Sequence, residues 1–153
     1  MERERKLGRY LRVRDQIAKL IHVTRDPIAQ RATAAALIHH KTPGVSWTGF
    51  YMLRDGHLVV DAYQGPVACL VLEAHKGVCW AGIDRNESIV VEDVHAFPDH
   101  IACDGRTRSE IVVPVRNGSG EAIGVLDLDS HRPAHFDDAD REGLEAIVAI
   151  LGS

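Results

Sequence analysis

The sequence has few cysteines, no long hydrophobic run and no excess of positive charge, and each lack excludes a class of protein. Three cysteines in 153 residues are too few, and odd in number, for a disulfide framework. No stretch approaches the roughly 20 consecutive apolar residues of a membrane-spanning helix. A net charge of −4 gives no reason to expect a nucleic-acid partner.

Further absences concern cofactors and cellular compartment. The cysteines at positions 69, 79 and 103 lack the C-x-x-C spacing of a structural zinc site, and no histidine pair shows a ligand pattern. Glycine-rich phosphate-binding motifs are also missing. We therefore expect neither a metal nor a bound cofactor. The first residues do not resemble a signal peptide, so we expect a cytoplasmic protein.

The hydrophobic pattern predicts a single domain over residues 1–153. Apolar residues at helical spacing predict N-terminal helices within 2–40, and a second helical pattern predicts a C-terminal helix over 138–151. The segment 45–130 holds the sheet and its loops. This order indicates an α+β fold, with a central antiparallel sheet of about six strands, helices packed on one face and a ligand pocket on the other.

The strands are recognised by β-branched residues and by the turns between them. Asp55-Gly56 predicts a hairpin between the first two strands. A short helix is expected around HKGVCWAG. The predicted strands cover residues 45–53, 57–63, 68–74, 88–94, 110–116 and 121–129.

The cysteines differ in their surroundings. Cys69 lies in apolar ACLVL and fits a small buried hydrophobe, whereas Cys103 lies in the polar segment HIACDGRTRSE. Either that segment folds inward or the Cys103 thiol is reactive. Cys79 lies in the segment GVC. Spacing alone does not show that the thiols meet, so three unrelated small hydrophobes remain an alternative.

Three acids occupy strand positions that are usually apolar. Asp127 and Asp129 are two residues apart in EAIGVLDLD and therefore share one face of their strand. Pairing through the 117–120 turn places Glu110 opposite the same strand end. Such a cluster suits a ligand's ammonium group, or keeps one carboxyl protonated as a general acid. The alternative is a solvated strand end.

Two aromatic residues alternate in the first strand. Trp47 and Tyr51 in WTGFY point to the same face of the sheet. They would form an apolar wall for a small ligand or belong to the hydrophobic core.

Several segments together resemble one family, the free methionine-(R)-sulfoxide reductases, which are single-domain GAF proteins. The resemblance covers roughly residues 30–150, with the motifs in the same order. The matching motifs are WTGFY (47–51), YQGPVAC (63–69), GVC (77–79), VEDVHAFPDHIACD (91–104), SEIVVP (109–114) and GVLDLDS (124–130).

The resemblance implies an enzyme that reduces free methionine-(R)-sulfoxide to methionine. Cys103 matches the nucleophile of the family, and Cys69 and Cys79 match the cysteines that form disulfides with it, Cys69 being the preferred resolving thiol. Thioredoxin is the implied reductant and a homodimer the implied assembly. The substrate-binding residues implied by the resemblance are Trp47, Tyr51, Glu110, Asp127 and Asp129, and Glu110 is the expected proton donor.

Two other functions fit the same sequence. A GAF sensor would bind a small molecule, or read redox state through its cysteines, without turnover. A subunit-interaction module would use the first helix and leave the pocket silent.

Overall fold

The computed structural model describes residues 2–152. They form one sheet with helices on both of its faces. No helix within these residues is long and apolar enough to cross a membrane. The elements in chain order are α1 (Glu2–Ile21), α2 (Pro27–Lys41), β1 (Trp47–Arg54), β2 (His57–Gln64), β3 (Val71–Leu72), α3 (Gly77–Arg85), β4 (Ile89–Val91), a 3₁₀ helix (Val94–Ala96), β5 (Ser109–Arg116), β6 (Ala122–Ser130) and α4 (Asp138–Val148).

The sheet has six antiparallel strands in the order β3-β2-β1-β6-β5-β4, which confirms the predicted fold class. β1 and β6 are therefore central, and β3 is an edge strand. The β1–β2 turn has positive φ at both Asp55 (51°) and Gly56 (80°). An Asp-Gly pair tolerates this mirror-image turn, whose twist matches that of the flanking strands.

Successive side chains of each strand point to opposite faces of the sheet, and this separates two hydrophobic clusters. Phe50 of β1 and Leu128 of β6 face α1, α2 and α4 in one cluster. On the opposite face, Tyr51 and Val125 pack with α3 in the second cluster. Three helices thus cover one face as predicted, while α3 lies on the other face, beside the candidate site.

Three predicted elements are shorter than the sequence pattern suggested. The strand expected over 88–94 is limited to Ile89–Val91. The strand expected over 68–74 is limited to Val71–Leu72, because Cys69 is tied to a distant loop by a disulfide and its carbonyl accepts a side-chain hydrogen bond. The helix expected over 138–151 ends at Val148. Its last turn tightens, since the amides of residues 150 and 151 bond to carbonyls three residues back.

Buried polar pairs fix the helices to one another and to the sheet. The Tyr10 hydroxyl of α1 donates to the Asp140 carboxylate of α4 (2.6 Å), and Lys6 lies 2.8 Å from the same carboxylate. Arg31 of α2 pairs with Asp61 of β2 at 2.8 Å, with both side chains almost fully buried. These contacts hold the helical layer in place and leave the opposite sheet face to form the site.

Candidate active site

A disulfide joins two loops above the pocket face of the sheet. Cys69, before β3, is bonded to Cys103, in the loop that precedes β5, and their Cα atoms are 5.6 Å apart. Cys103 is exposed and Cys69 is half-buried. The third cysteine, Cys79 of α3, is a buried free thiol. The pairing that residue spacing left open is therefore between Cys69 and Cys103.

A pocket lies beneath this disulfide. It opens between the loop that carries Cys103, the segment 66–68 and the first turn of α3, and β1, β5 and β6 form its floor. Seven of the eight residues that the sequence singled out line it, and the eighth, Cys69, is bonded to Cys103 at its mouth. The seven are Trp47, Tyr51, Cys79, Cys103, Glu110, Asp127 and Asp129.

The three acids meet on the pocket floor. The β5–β6 register places Glu110 directly opposite Asp129, the arrangement that the hairpin predicts, and Asp127 lies two residues along on the same face. Glu110 and Asp127 are 7% and 5% exposed. One carboxylate oxygen each of Asp127 and Asp129 is buried without a hydrogen-bond partner among the residues described. The floor therefore presents acceptors that lack a donor.

Burial and mutual repulsion govern the protonation of this cluster. The pKa of Glu110 is raised well above its usual value by burial and by the charge of Asp127. Burial and the charge of Asp129 raise the pKa of Asp127, and burial and the charge of Glu110 raise that of Asp129. The cluster thus retains protons at a pH where isolated carboxyls are ionised. A cation in the pocket would relieve the same repulsion.

Cys79 lies against the acids. Burial, followed by the charges of Asp127 and Glu110, raises the pKa of its thiol well above the ordinary range. A thiol so protected from ionisation is a weak nucleophile. Its sulfur and one oxygen each from Glu110 and Asp127 lie within 4.8 Å of one another, which is a set of ligand atoms able to hold a divalent metal.

The aromatic wall also holds the loop that carries Cys69. Trp47 stacks on Tyr51 and on Tyr63, with ring centroids 5.9 and 5.3 Å apart. The Trp47 indole donates to the carbonyl of Pro66 (3.1 Å), and the Tyr51 hydroxyl donates to the carbonyl of Cys69 (2.9 Å). Both residues therefore face the pocket and fix its lip, a double role that alternation alone does not reveal.

Asp104 and Thr107 also line the pocket, although the sequence did not single them out. The Asp104 carboxylate accepts hydrogen bonds from the backbone amide (3.0 Å) and guanidinium (3.2 Å) of Arg106. The backbone bond, ahead of the other contacts, lowers the pKa of Asp104. The Asp-Gly pair after Cys103 is a turn signal that would have indicated this arrangement. The Arg106 guanidinium is thus engaged by Asp104, and the Arg108 side chain is exposed.

Comparisons with known proteins agree with this geometry. The sequence profile of the GAF domain matches residues 24–153. The free methionine-R-sulfoxide reductase of Escherichia coli strain K12 is 42% identical over 126 residues, which are 81% of this chain and 74% of that protein. The enzyme of the same name from Saccharomyces cerevisiae is 36% identical over 131 residues, covering 81% of this chain and 73% of that one.

A solved structure extends the similarity to three dimensions. The free methionine-R-sulfoxide reductase of Neisseria meningitidis, determined in complex with its substrate, superposes with a TM-score of 0.90 at 39% identity. The match covers 95% of this chain and 87% of that one.

Proposed function

Because the chain belongs to the GAF domain family, and within it to the free methionine-R-sulfoxide reductases, we propose that it reduces free methionine-(R)-sulfoxide to methionine. One observation carries the proposal: the Cys69–Cys103 disulfide lies at the mouth of a pocket floored by three crowded carboxyls. A bond between two loop cysteines is the expected product of one catalytic cycle.

The reaction begins with the Cys103 thiolate attacking the sulfur of the sulfoxide. The sulfoxide oxygen is protonated as the bond between the two sulfurs forms. The resulting hydroxyl then passes from the substrate sulfur to the Cys103 sulfur as the bond between the two sulfurs breaks, so methionine leaves and Cys103 becomes a sulfenic acid. The Cys69 thiol then displaces that hydroxyl as water and forms the disulfide. An external dithiol returns two electrons and two protons and so regenerates both thiols.

Activation of the thiol contributes little to the rate. An ordinary thiol of pKa ~8.5 is about 3% ionised at pH 7, and lowering the pKa to ~7 raises the thiolate fraction about 15-fold. The same change lowers the intrinsic nucleophilicity about 5-fold, so the net gain is only about 3-fold. The main acceleration therefore has to come from the group that protonates the leaving oxygen, an effect of roughly 10²–10⁴-fold.

Glu110 is the proposed proton donor. Burial and the charge of Asp127 raise its pKa, which supports a protonated carboxyl at neutral pH. Asp127 and Asp129 bind the ammonium group of the substrate, and their unpartnered oxygens supply the acceptors. Trp47 and Tyr51 pack against the terminal methyl. A residue inside a peptide has no ammonium group, so this pocket selects the free amino acid.

The remaining parts of the proposal concern partners and location. The reductant is thioredoxin, whose dithiol chemistry matches an intramolecular disulfide. No bound cofactor and no metal takes part. A disulfide that must be reduced in every cycle favours the reducing cytoplasm. The protein forms a homodimer through its helical layer. Light scattering coupled to gel filtration measures the mass of the assembly and so tests whether it is a dimer.

A coupled assay tests the proposed reaction. The protein is mixed with free methionine-(R)-sulfoxide, thioredoxin, thioredoxin reductase and NADPH, and NADPH is expected to be oxidised. The (S) epimer serves as the matched control and is expected to be inert. A folded, reduced protein that binds the substrate without oxidising NADPH would instead be a sensor, and equal rates with both epimers would refute the pocket described above.

Single-turnover experiments separate the two cysteines. Cys103→Ser is expected to form no methionine even with excess protein. Cys69→Ser is expected to yield one methionine per chain and then stop, because the sulfenic acid lacks its resolving thiol. Cys79→Ser is the matched control and keeps a full first turnover. Loss of the first turnover in Cys69→Ser would reverse the assignment.

A further inference from the structure

Three exposed aliphatic residues flank the half-buried cysteine of the disulfide along the chain. Val67, Leu70 and Val71 are 84%, 73% and 52% exposed, and all lie within two residues of Cys69. We call these three residues the Cys69 patch. Single exposed aliphatic residues are ordinary, whereas neighbouring ones commonly mark an interaction surface. The other large exposed apolar residues of the described chain are Leu11, Leu20, Val23, Ile28 and Val90.

The backbone beneath the patch is fixed. The carbonyl of Leu70 accepts a hydrogen bond from the Val60 amide of β2 (2.9 Å), and Val71 pairs with β2 as part of the edge strand. The carbonyl of Cys69 is held by the Tyr51 hydroxyl. These contacts leave the Leu70 and Val71 side chains directed outward on a held main chain, so presenting them to a partner costs little conformational entropy.

We propose that the Cys69 patch is the docking surface for the dithiol protein that reduces the Cys69–Cys103 disulfide. This inference rests on the proposed function in one respect, namely that the disulfide forms in each catalytic cycle and has to be reduced. A reducing thiolate has to reach one of the two sulfurs, so the surface it approaches adjoins the bond. Residues 66–72, Pro-Val-Ala-Cys-Leu-Val-Leu, carry no charge.

The chemistry of the patch selects a partner that is apolar around its own reactive cysteine. A thioredoxin-type protein fits, because burial of aliphatic surface stabilises its encounter with the patch. Its thiolate attacks one sulfur, and the other cysteine leaves as a thiolate. Its second thiol then breaks the mixed disulfide, so both cysteines are reduced and the partner is oxidised. Glutathione, small and charged, gains nothing from the patch.

The test measures disulfide reduction without any methionine sulfoxide. Oxidised protein is mixed with limiting reduced thioredoxin, and released thiols are alkylated and counted by mass spectrometry. The double variant Leu70→Ser, Val71→Ser leaves the net charge unchanged and lies outside the pocket lining. Its second-order rate constant with thioredoxin is expected to fall about tenfold or more, since two aliphatic contacts are lost. Its rate with dithiothreitol is expected to stay within about twofold of wild type.

The matched control is the double variant Val23→Ser, Ile28→Ser, whose side chains are 79% and 52% exposed and far along the chain from the disulfide. It is expected to keep the wild-type rate with thioredoxin. Three results would overturn the proposal: an unchanged rate with thioredoxin, an equal fall with dithiothreitol, or an equal fall in the control. Loss of a dimer in the patch variant alone, seen by sedimentation, would assign the patch to a second copy of the chain.

Failure here is distinguishable from failure of the proposed function. A protein that does not turn over methionine sulfoxide still reports whether thioredoxin reduces its disulfide through the patch. Conversely, the protein could turn over methionine sulfoxide normally with dithiothreitol while thioredoxin reduces the patch variant as fast as the wild type. That result would refute the docking surface and leave the proposed function intact.

Discussion

Replacing Asp127 with asparagine is expected to stabilise the unliganded protein while abolishing substrate binding. Carboxylate oxygens of Asp127 and Glu110 lie within 4.8 Å of each other on a buried floor. At an effective dielectric constant of ~20, two unit charges at that separation repel by about 3.5 kcal/mol. The folded protein either bears part of this repulsion or keeps one carboxyl protonated. In either case the crowding of the two carboxyls lowers the free energy of unfolding.

The pH dependence gives the prediction its sign. The folded-state pKa of Asp127 lies above its unfolded value, so the folded state binds more protons and the free energy of unfolding falls as pH rises above about 4. An asparagine side chain does not titrate, so part of this slope disappears in the variant. We expect Asp127→Asn to raise the free energy of unfolding by about 2 kcal/mol at pH 8, and by about 1 kcal/mol or less at pH 5.

Urea denaturation without ligand, at pH 5 and pH 8, measures the two differences. A gain of ~2 kcal/mol corresponds to a melting temperature about 4–8 °C higher for a domain of this size. Methionine is expected to raise the melting temperature of the wild type but not of the variant, because the variant has lost a carboxylate for the ammonium group. A variant that is less stable at pH 8, or equally stabilised at both pH values, would refute this reasoning.

Asp61 provides a control of opposite sign. Burial raises its pKa, but the hydrogen bond from Arg31, the bond from the Ala62 amide and the charges of Arg31 and Arg54 outweigh burial and lower it overall. Its contribution to stability is therefore present above its unfolded pKa and lost as pH falls through the folded value. Asp61→Asn leaves a buried guanidinium unpaired and is expected to cost about 3 kcal/mol at pH 8.

The remaining predictions concern packing and the resolving step. Tyr51→Phe removes the hydrogen bond to the carbonyl of Cys69 and is expected to lengthen the lifetime of the sulfenic acid, measured by dimedone trapping, with little change in methionine release. Tyr10→Phe leaves the Asp140 carboxylate without its buried hydroxyl donor and is expected to lower the free energy of unfolding by about 1–3 kcal/mol. Gly143→Ala places a methyl group on the Tyr10 ring and is expected to destabilise the domain by about 1–3 kcal/mol in urea denaturation.

Much of the sheet could be predicted because its determinants are local. Alternation and the Asp55-Gly56 turn fix the β1–β2 hairpin, and the register of β5 with β6 follows from the turn between them, which brings Glu110 opposite Asp129. The strand expected over 68–74 was mostly absent. There a disulfide and a tyrosine hydroxyl from other parts of the chain override local β propensity.

Contacts between distant segments could not be read from spacing. The burial of Cys79 against Asp127 depends on where α3 packs, and the β-strand pattern contains no information about that. The Arg31–Asp61 pair joins α2 to β2, and its charges are indistinguishable in the sequence from surface charges. The pairing of Cys69 with Cys103 also has no local signal in the sequence, because the two residues are 34 positions apart. It was expected only from the family resemblance.

The proposed recognition residues and the reactive cysteines lie on different kinds of structure. The aromatic wall and the acids stand on β1, β5 and β6. The two bonded cysteines stand on loops, with their own Cα atoms 5.6 Å apart. In evolutionary terms, the thiols are separable from the receptor beneath them, which itself carries the proposed proton donor Glu110. Two loop substitutions would turn this enzyme into a protein that holds the amino acid without consuming it. Conversely, placing two cysteines in the corresponding loops of a GAF receptor with the same pocket would add redox chemistry to it, without any change to its sheet.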